Sequence, residues 1–277
     1  MDKHPGKPGK PGKHSFRLLC TGFHNCYYNM GLDEALLESV AGRSSAPVSS
    51  GPVSSGPVLR FYGWNPPAVS VGYFQGLTEE VDLEAAKSFG FDTVRRISGG
   101  GAVLHKSELT YSIIMDLDHP LAGKDIGESY HILCEGLIRG FKLLGIDAVF
   151  SGINDILTGG KKISGNAQTR RMNCLLQHGT VLLDNDVDTM FEVLKVPEEK
   201  IKGKLISEVK ERVTSLKAVL GRVVPFEEAE AAFISGFTEA LDLDCTEGKT
   251  EPTPEEDKRA RELADTKFSA REWLFKK

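Results

Sequence analysis

Apolar positions along the chain change period often enough to mark a series of alternating elements. Leu32, Ala35, Leu36 and Val40 repeat at helical spacing, which predicts a helix from Asn29 as N-cap to Val40, with Asp33 and Glu34 in its early turns. Val58–Tyr62 and Ala68–Phe74 are β-rich runs separated by Gly63-Trp-Asn-Pro-Pro67, a strand, turn, strand signal. A helix over 79–88 follows, then strands over 91–97, 103–105 and 109–115. Tyr130, Leu133, Leu137, Phe141 and Leu144 share one helical face over 128–144, and Gly145 is placed to end that helix. Further strands are predicted over 154–158, 161–167 and 174–183, and helices over 186–194, 197–203, 214–219, 226–240 and 254–264. Strands arrive in hairpin-like runs and helices in clusters, which predicts an α+β fold with a mixed, largely antiparallel sheet flanked by helices.

Two segments lack any such pattern. The opening MDKHPGKPGKPGKH repeats Gly-Lys-Pro and is read as a disordered basic tail over 1–15; the tandem SSAPV, SSGPV, SSGPV is read as a loop insertion at 44–58. Between and beyond them the expected division is a catalytic domain over 16–245 and a helical extension over 246–277. Thirty-four Lys and Arg against 39 Asp and Glu give a net charge of −5, so no global field favours nucleic acid as a partner. Any cationic site must be local. Five cysteines include no C-x-x-C pair and no zinc-type spacing, which points to a reducing compartment and to no metal site. No run approaches the roughly 20 apolar residues of a membrane helix, and the expected location is the cytoplasm.

Three segments carry candidate chemistry. Arg95-Arg96-Ile97-Ser98-Gly99-Gly100-Gly101 leads into Ala102, Val103, Leu104 and His105. A hairpin needs one or two glycines, so a third suggests close approach of the backbone to a ligand, with the arginines offering charged contacts to phosphate or carboxylate. A flexible turn flanked by surface arginines satisfies the same spacing, and both readings stand. Asn154-Asp155 precedes Lys161-Lys162-Ile-Ser-Gly-Asn-Ala167, where strand alternation puts Lys162, Ser164 and Asn166 on one face; Lys162 either reaches a pocket from there or is solvated at a hairpin end. His178 lies within an apolar strand, where a histidine is more often a satisfied core group than a catalyst. Cys134 and Cys174 read as small buried hydrophobes rather than nucleophiles.

Taken in order, Asn29-Met30-x-x-Asp33-Glu34, Arg60-Phe61-Tyr62, the Val69–Phe74 run, Arg95–His105, Asn154-Asp155, Lys162-Ile-Ser-Gly-x-Ala167 and His178-Gly179 resemble the lipoate-protein ligase and octanoyltransferase branch of the biotinyl/lipoyl transferase family. The resemblance implies the lipoate ligase fold, Lys162 as catalytic residue, and an acyl-adenylate site made by Arg96, Gly101, Ala102, Val103, Leu104 and Lys162. It implies supporting roles for Arg95, Ser98, Gly99, Gly100, His105, Asn154, Asp155 and His178. Octanoyltransferases of the cysteine type carry their nucleophile between the strand near Phe150 and the Lys162 motif, and Ser151–Gly160 contains no cysteine. That interval is also shorter than theirs, and with Asn154-Asp155 it favours the ligase branch, so the resemblance implies a short ATP-dependent lipoate-protein ligase: ATP with Mg2+ and lipoate as substrates, a lipoyl-domain acceptor of the glycine-cleavage H or acyltransferase E2 type, and a separately encoded accessory subunit. The alternatives are an octanoyl or lipoyl transferase that draws on a carrier-bound donor without ATP, and a binding module that has lost its chemistry.

Overall fold

The structure, a computed structural model, describes residues 14–44, 56–195, 202–245 and 248–276; the expected tail and most of the tandem repeat lie outside the described residues. The first half comprises β1 (His14–Ser15), β2 (Arg17–His24), α1 (Cys26–Ser44), β3 (Val58–Trp64), β4 (Ala68–Val71), α2 (Leu77–Glu80), α3 (Leu83–Ser88), β5 (Asp92–Arg95), β6 (Val103–His105) and β7 (Glu108–Asp116). There follow α4 (Ile126–Leu143), β8 (Val149–Ser151), β9 (Asp155–Thr158), β10 (Lys161–Arg171), β11 (Cys174–Leu182), α5 (Val187–Val193), α6 (Lys202–Arg212), α7 (Leu216–Leu220) and α8 (Phe226–Ala240). The chain closes with β12 (Leu243–Asp244), β13 (Lys249–Thr250), α9 (Pro254–Leu263) and α10 (Arg271–Leu274).

Eight strands form one sheet in the order β13-β2-β3-β7-β11-β10-β9-β8. Its first three strands run parallel, because α1 carries the chain over the sheet between β2 and β3, and the other pairings are antiparallel. A smaller sheet, β5-β4-β6, stands beside it. The α+β architecture with a mixed, largely antiparallel sheet therefore forms as the pattern predicts.

Strand alternation divides the core into two layers. On β7, Leu109, Tyr111, Ile113 and Met115 face α4 and α8, where they meet Leu133, Leu137, Phe141, Phe233 and Phe237. The opposite parity, Ile114 on β7 and Leu176 on β11, packs with Leu32 and Leu36 of α1 and Ala260 and Leu263 of α9. Thr110, Ser112 and His178 share that second face and are buried there as polar groups.

Thr110 Oγ1 accepts from Trp64 Nε1 at 2.8 Å, and a buried carboxylate from α1 meets the other two. Asp33, 1% exposed, accepts from Arg60 Nη1 at 2.7 Å, Ser112 Oγ at 2.9 Å and Tyr62 OH at 3.1 Å, and lies 3.2 Å from His178 Nδ1. Arg60, fully buried, also donates to Asn29 Oδ1 at 2.8 Å and Thr21 Oγ1 at 3.1 Å, and its guanidinium lies 3.8 Å above the Tyr62 ring. Asn29 is thus not the N-cap. The helix begins at Cys26, where the Asn25 side chain accepts from the Tyr28 N–H at 2.9 Å, and Asn29 ties the helix to Gly63 O at 2.9 Å.

Other boundaries move for local reasons. The expected helix over 79–88 is two helices, because Val81 pairs with Leu194 as an isolated bridge and Asp82 restarts the chain by capping α3 at Ala85 N. The expected helix over 197–203 falls mostly outside the described residues, and α6 occupies 202–212 instead. Residues of the expected extension pack into the main body: β13 pairs with β2, Arg17 meets Glu256 at 2.7 and 2.8 Å, and Lys267 meets Glu34 at 2.6 Å.

Removing one partner of a buried ion pair strands the other charge, so Asp33→Ala and Arg60→Ala are each expected to lower unfolding free energy by about 3–5 kcal/mol. The double variant should lose clearly less than the sum, and additive losses in urea titrations would deny the coupling. Burial alone would raise the Asp33 carboxyl, but the Arg60 charge and the His178 hydrogen bond outweigh it and hold it below the ordinary value. Its contribution is therefore complete above the unfolded carboxyl value of about 3.9 and is lost as pH falls through the lower folded value. Acid titration of wild type against Asp33→Asn should show a steeper loss of stability below about pH 4 in the wild type.

Candidate functional site

The second face of the large sheet and the small sheet enclose a pocket between them. Tyr62 and Trp64 of β3, Thr110 of β7 and Thr180 of β11 line it from one side, Ser70, Val103 and His105 from the other, and Lys162, Gly165, Asn166 and Ala167 of β10 along its rim. Met30 and His178 also reach it.

Arg96 organises the glycine loop. Its guanidinium donates to Gly101 O at 2.7 Å, Gly99 O at 2.8 Å and Ser70 Oγ at 3.0 Å, which folds the loop around the charge. Burial lowers the guanidinium to about 10, so it stays protonated at neutral pH. Gly100 has φ 95, a conformation disfavoured for L side chains, and a Cβ on Gly72 would overlap the Gly100 carbonyl. The glycines thus serve a tight crossing of two backbone segments, while nothing stands within 4 Å of a Cβ built on Gly99 or Gly101.

Arg95 is turned the other way. It donates to Gly72 O at 3.0 Å, Tyr73 O at 3.1 Å and Gln75 O at 2.5 Å, and to Trp273 O and Leu274 O at 3.0 and 2.9 Å. Trp273 Nε1 returns a bond to Arg95 O at 2.9 Å. The pair of anion-facing arginines suggested by the sequence is therefore a single arginine at the pocket; its neighbour clamps the 72–75 loop to the C-terminal helix.

Lys162 is the accessible cation at the rim, with its side chain 41% exposed and Nζ 2.7 Å from Asp155 Oδ1. A register shift between Lys162 and Ser164 breaks the expected alternation. Lys162 and Asn166 line the pocket together with Gly165, whose added Cβ would stand 2.8 Å from Lys162 Nζ, whereas Ser164 is buried outside the lining. Asn154 and Asn166 exchange side-chain and backbone hydrogen bonds that hold this bulge, and Tyr111 OH donates to Asn166 Oδ1 at 2.8 Å.

Two histidines sit between a serine and a carboxylate. His105 Nε2 lies 2.8 Å from Ser70 Oγ and its Nδ1 2.5 Å from Glu108 Oε1, and its ring stacks on Trp64 with centroids 3.8 Å apart. Burial lowers the His105 imidazole below its usual value despite Glu108, so it is neutral at pH 7. His178 Nε2 lies 2.5 Å from Ser98 Oγ, with Asp33 behind it.

Of the residues singled out from the sequence, Arg96, Gly100, Gly101, Ala102, Val103, His105, Asn154, Lys162 and His178 line the pocket. Ser98, Gly99 and Asp155 stand behind it, and Leu104 packs into the small-sheet core. Tyr62 and Ser70 stood in quoted motifs without a site role, and Trp64, Thr110 and Thr180 were not singled out; parity was the signal for three of these, since 62, 110 and 180 share a face with 60, 112 and 178. None of the five cysteines, all described, lines the pocket, and burial pushes Cys134 and Cys174 up to about 12.

A hollow lined by apolar and aromatic side chains together with Lys162, Arg96 and several hydroxyl groups suits a ligand with a polar acyl head and an apolar tail. The chain belongs to the lipoyl protein ligase A/B catalytic domain family, whose model matches residues 25–238. It is 37% identical over 291 residues to octanoyltransferase LipM of Geobacillus kaustophilus, covering 96% of this chain and 99% of that one. Among solved structures it is similar to a bipartite lipoate protein ligase of Thermoplasma acidophilum, studied with its E2 lipoyl domain (TM-score 0.81, 33% identity, 95% and 96% of the two chains). It is also similar to a lipoate-protein ligase A bound with ATP (TM-score 0.75, 31% identity, 95% and 98% of the two chains).

An enzyme of the lipoate and octanoyl ligase–transferase family is thereby shown, and protein lipoylation is its field. The expected ATP-dependent lipoate ligase is corrected by the relatives that match nearly end to end, which are octanoyltransferases. ATP belongs to the neighbouring ligase. The cysteine-free Ser151–Gly160 interval misled because a missing thiol says which nucleophile is absent and nothing about the acyl donor. Among the described residues no helix is long and apolar enough to cross a membrane.

The crossing of Gly72 and Gly100 carries a direct expectation. Gly72→Ala should destabilise the chain by about 1–3 kcal/mol in urea and loosen acyl-ligand binding, because the added methyl group meets a carbonyl rather than a movable side chain. Wild-type stability in that variant would mean that the two backbones are not in contact.

Proposed function

We propose that this chain is an octanoyl transferase, moving a medium-chain acyl group from a carrier-bound thioester to a lysine ε-amine of a lipoyl-domain protein without ATP. The observation that carries the reading is the make-up of the pocket lining: the aromatic and aliphatic groups of Tyr62, Trp64 and Val103 stand with Lys162, whose side chain is 41% exposed at the rim. An acyl chain is stabilised by burial at about 0.8 kcal/mol per CH2, which leaves its carbonyl toward Lys162. Full-length similarity to octanoyltransferases and 33% identity to a ligase studied with an E2 lipoyl domain support the donor and acceptor classes.

Acyl transfer passes through a tetrahedral oxyanion, and its barrier falls where fixed donors meet that charge. Lys162 is held for this role by Asp155, which limits its freedom without burying it. Arg96 keeps the glycine loop folded and adds positive potential at the inner end. Neither group needs a nucleotide. Asn154 and Asn166 hold the β10 bulge that aims Lys162, and Arg95 holds the outer loop. The residues that line the pocket all fall between positions 30 and 180, and Trp273 braces the neighbouring Arg95 through its backbone carbonyl.

Incubation with octanoyl carrier protein and an unmodified lipoyl domain, with no ATP present, should give an octanoylated domain by intact mass. Lys162→Ala should keep its fold by circular dichroism and lose about 10²–10³-fold in transfer rate. An unmodified domain after incubation with the wild-type enzyme would sink the proposal.

A further inference from the structure

Transfer by double displacement needs a nucleophile, and no thiol is available in the pocket. Two serines stand in hydrogen-bonded chains that end on carboxylates, and only one of them faces the pocket. Ser98 lies outside the lining, and the carboxylate behind its histidine, Asp33, is already committed to Arg60, Tyr62 and Ser112. Ser70 lines the pocket, and so does its histidine, His105. Glu108 accepts at 2.5 Å from Nδ1 of that ring, and its other oxygen accepts the Lys106 N–H at 2.9 Å, which fixes the carboxylate. With Nδ1 keeping its proton and donating it to Glu108, Nε2 presents a lone pair to the Ser70 hydroxyl 2.8 Å away, and stacking on Trp64 at 3.8 Å holds the ring plane. Arg96 Nη1 donates to the same Ser70 oxygen at 3.0 Å and favours its anionic form. Nucleophile, base and orienting carboxylate thus occur in the geometry that activates a serine.

Resting on the transferase reading above, we infer that Ser70 is the acyl-accepting nucleophile, with His105 as its general base and Glu108 as the positioning residue, so that transfer runs through an octanoyl ester on Ser70. In the first half-reaction the Ser70 Oγ–acyl bond forms, the thioester C–S bond breaks, and the hydroxyl proton passes through His105 Nε2 to the departing thiolate. In the second, the acceptor lysine nitrogen bonds the acyl carbon, the Oγ–C bond breaks, and His105 returns a proton from the amine to Oγ. No oxidant, reductant or nucleotide enters. Ser70 is 1% exposed in a hollow lined by apolar groups, which shields an ester from water between the two steps.

The test uses the full chain with octanoyl carrier protein as donor and no acceptor. The expected product is one octanoyl group per chain, mapped by peptide mass spectrometry to the segment containing Ser70, stable to neutral hydroxylamine and released by alkaline hydroxylamine. With acceptor added, double-reciprocal plots should be parallel. Ser70→Ala should lose the adduct and about 10³-fold or more of the transfer rate. Ser70→Cys should regain an adduct that neutral hydroxylamine removes, which separates a lost nucleophile from a lost fold. Glu108→Gln should lower kcat with little change in KM. An adduct on a cysteine, or wild-type transfer by Ser70→Ala, overturns the role of Ser70 while leaving the transferase reading intact. Failure of the wild-type chain to move octanoyl to either Ser70 or a lipoyl domain overturns both.

Discussion

The buried pairing of Asp33 with Arg60 is the constraint on which the rest of the structure depends. It joins the helix that crosses the sheet to the strand that the crossing delivers, and it recruits Ser112 and His178 from the next two strands. Two ions out of water are costly, and the cost is offset here because the charges meet at 2.7 Å and the remaining donors and acceptors find partners in Tyr62, Asn29 and Thr21. With those four elements locked in register, the second face of the sheet cannot slip by one residue without burying unpaired polar groups.

That register decides where chemistry can occur. One face of β3, β7 and β11 is filled by α4 and α8, so the polar positions of the other parity are left to the pocket and to α1. The small sheet then brings Ser70, Arg96 and His105 against this face, and Arg96 holds the loop by donating to its carbonyls. Charges near the pocket fall into two kinds. Asp33, Arg60 and Arg95 are saturated by the protein itself, whereas Lys162 remains partly exposed with one carboxylate partner.

On the transferase reading the site is a preorganised acyl pocket within a ligase-like fold, and the groups that would meet an oxyanion are fixed before a ligand arrives. The same fold serves proteins named for ligation and for transfer, so the fold alone does not choose the donor. Relatives matched along their whole length bear on that choice more closely than the fold does.

Much of this was legible in the residues themselves. Periodicity placed the strong helix over Ile126–Leu143 within two residues at each end, because that helix buries one face and leaves another polar, and the paired strands around Lys162 and His178 were also found. Motif order identified the family and most of the pocket lining. Three things escaped. Asn29 looked like a cap but is an interior ligand of Arg60; Arg95 and Arg96 are identical in type and adjacent, yet chain alternation sends them to opposite sides; and Ser70, although inside a quoted motif, gave no sign of its histidine partner. Sequence by itself determined the elements, their apolar faces and the residue types present, since those follow from local periodicity. Folding alone settles which arginine holds the loop at the pocket and which of the two histidine-bonded serines lines it, because that depends on strands far apart in the chain being paired in one register.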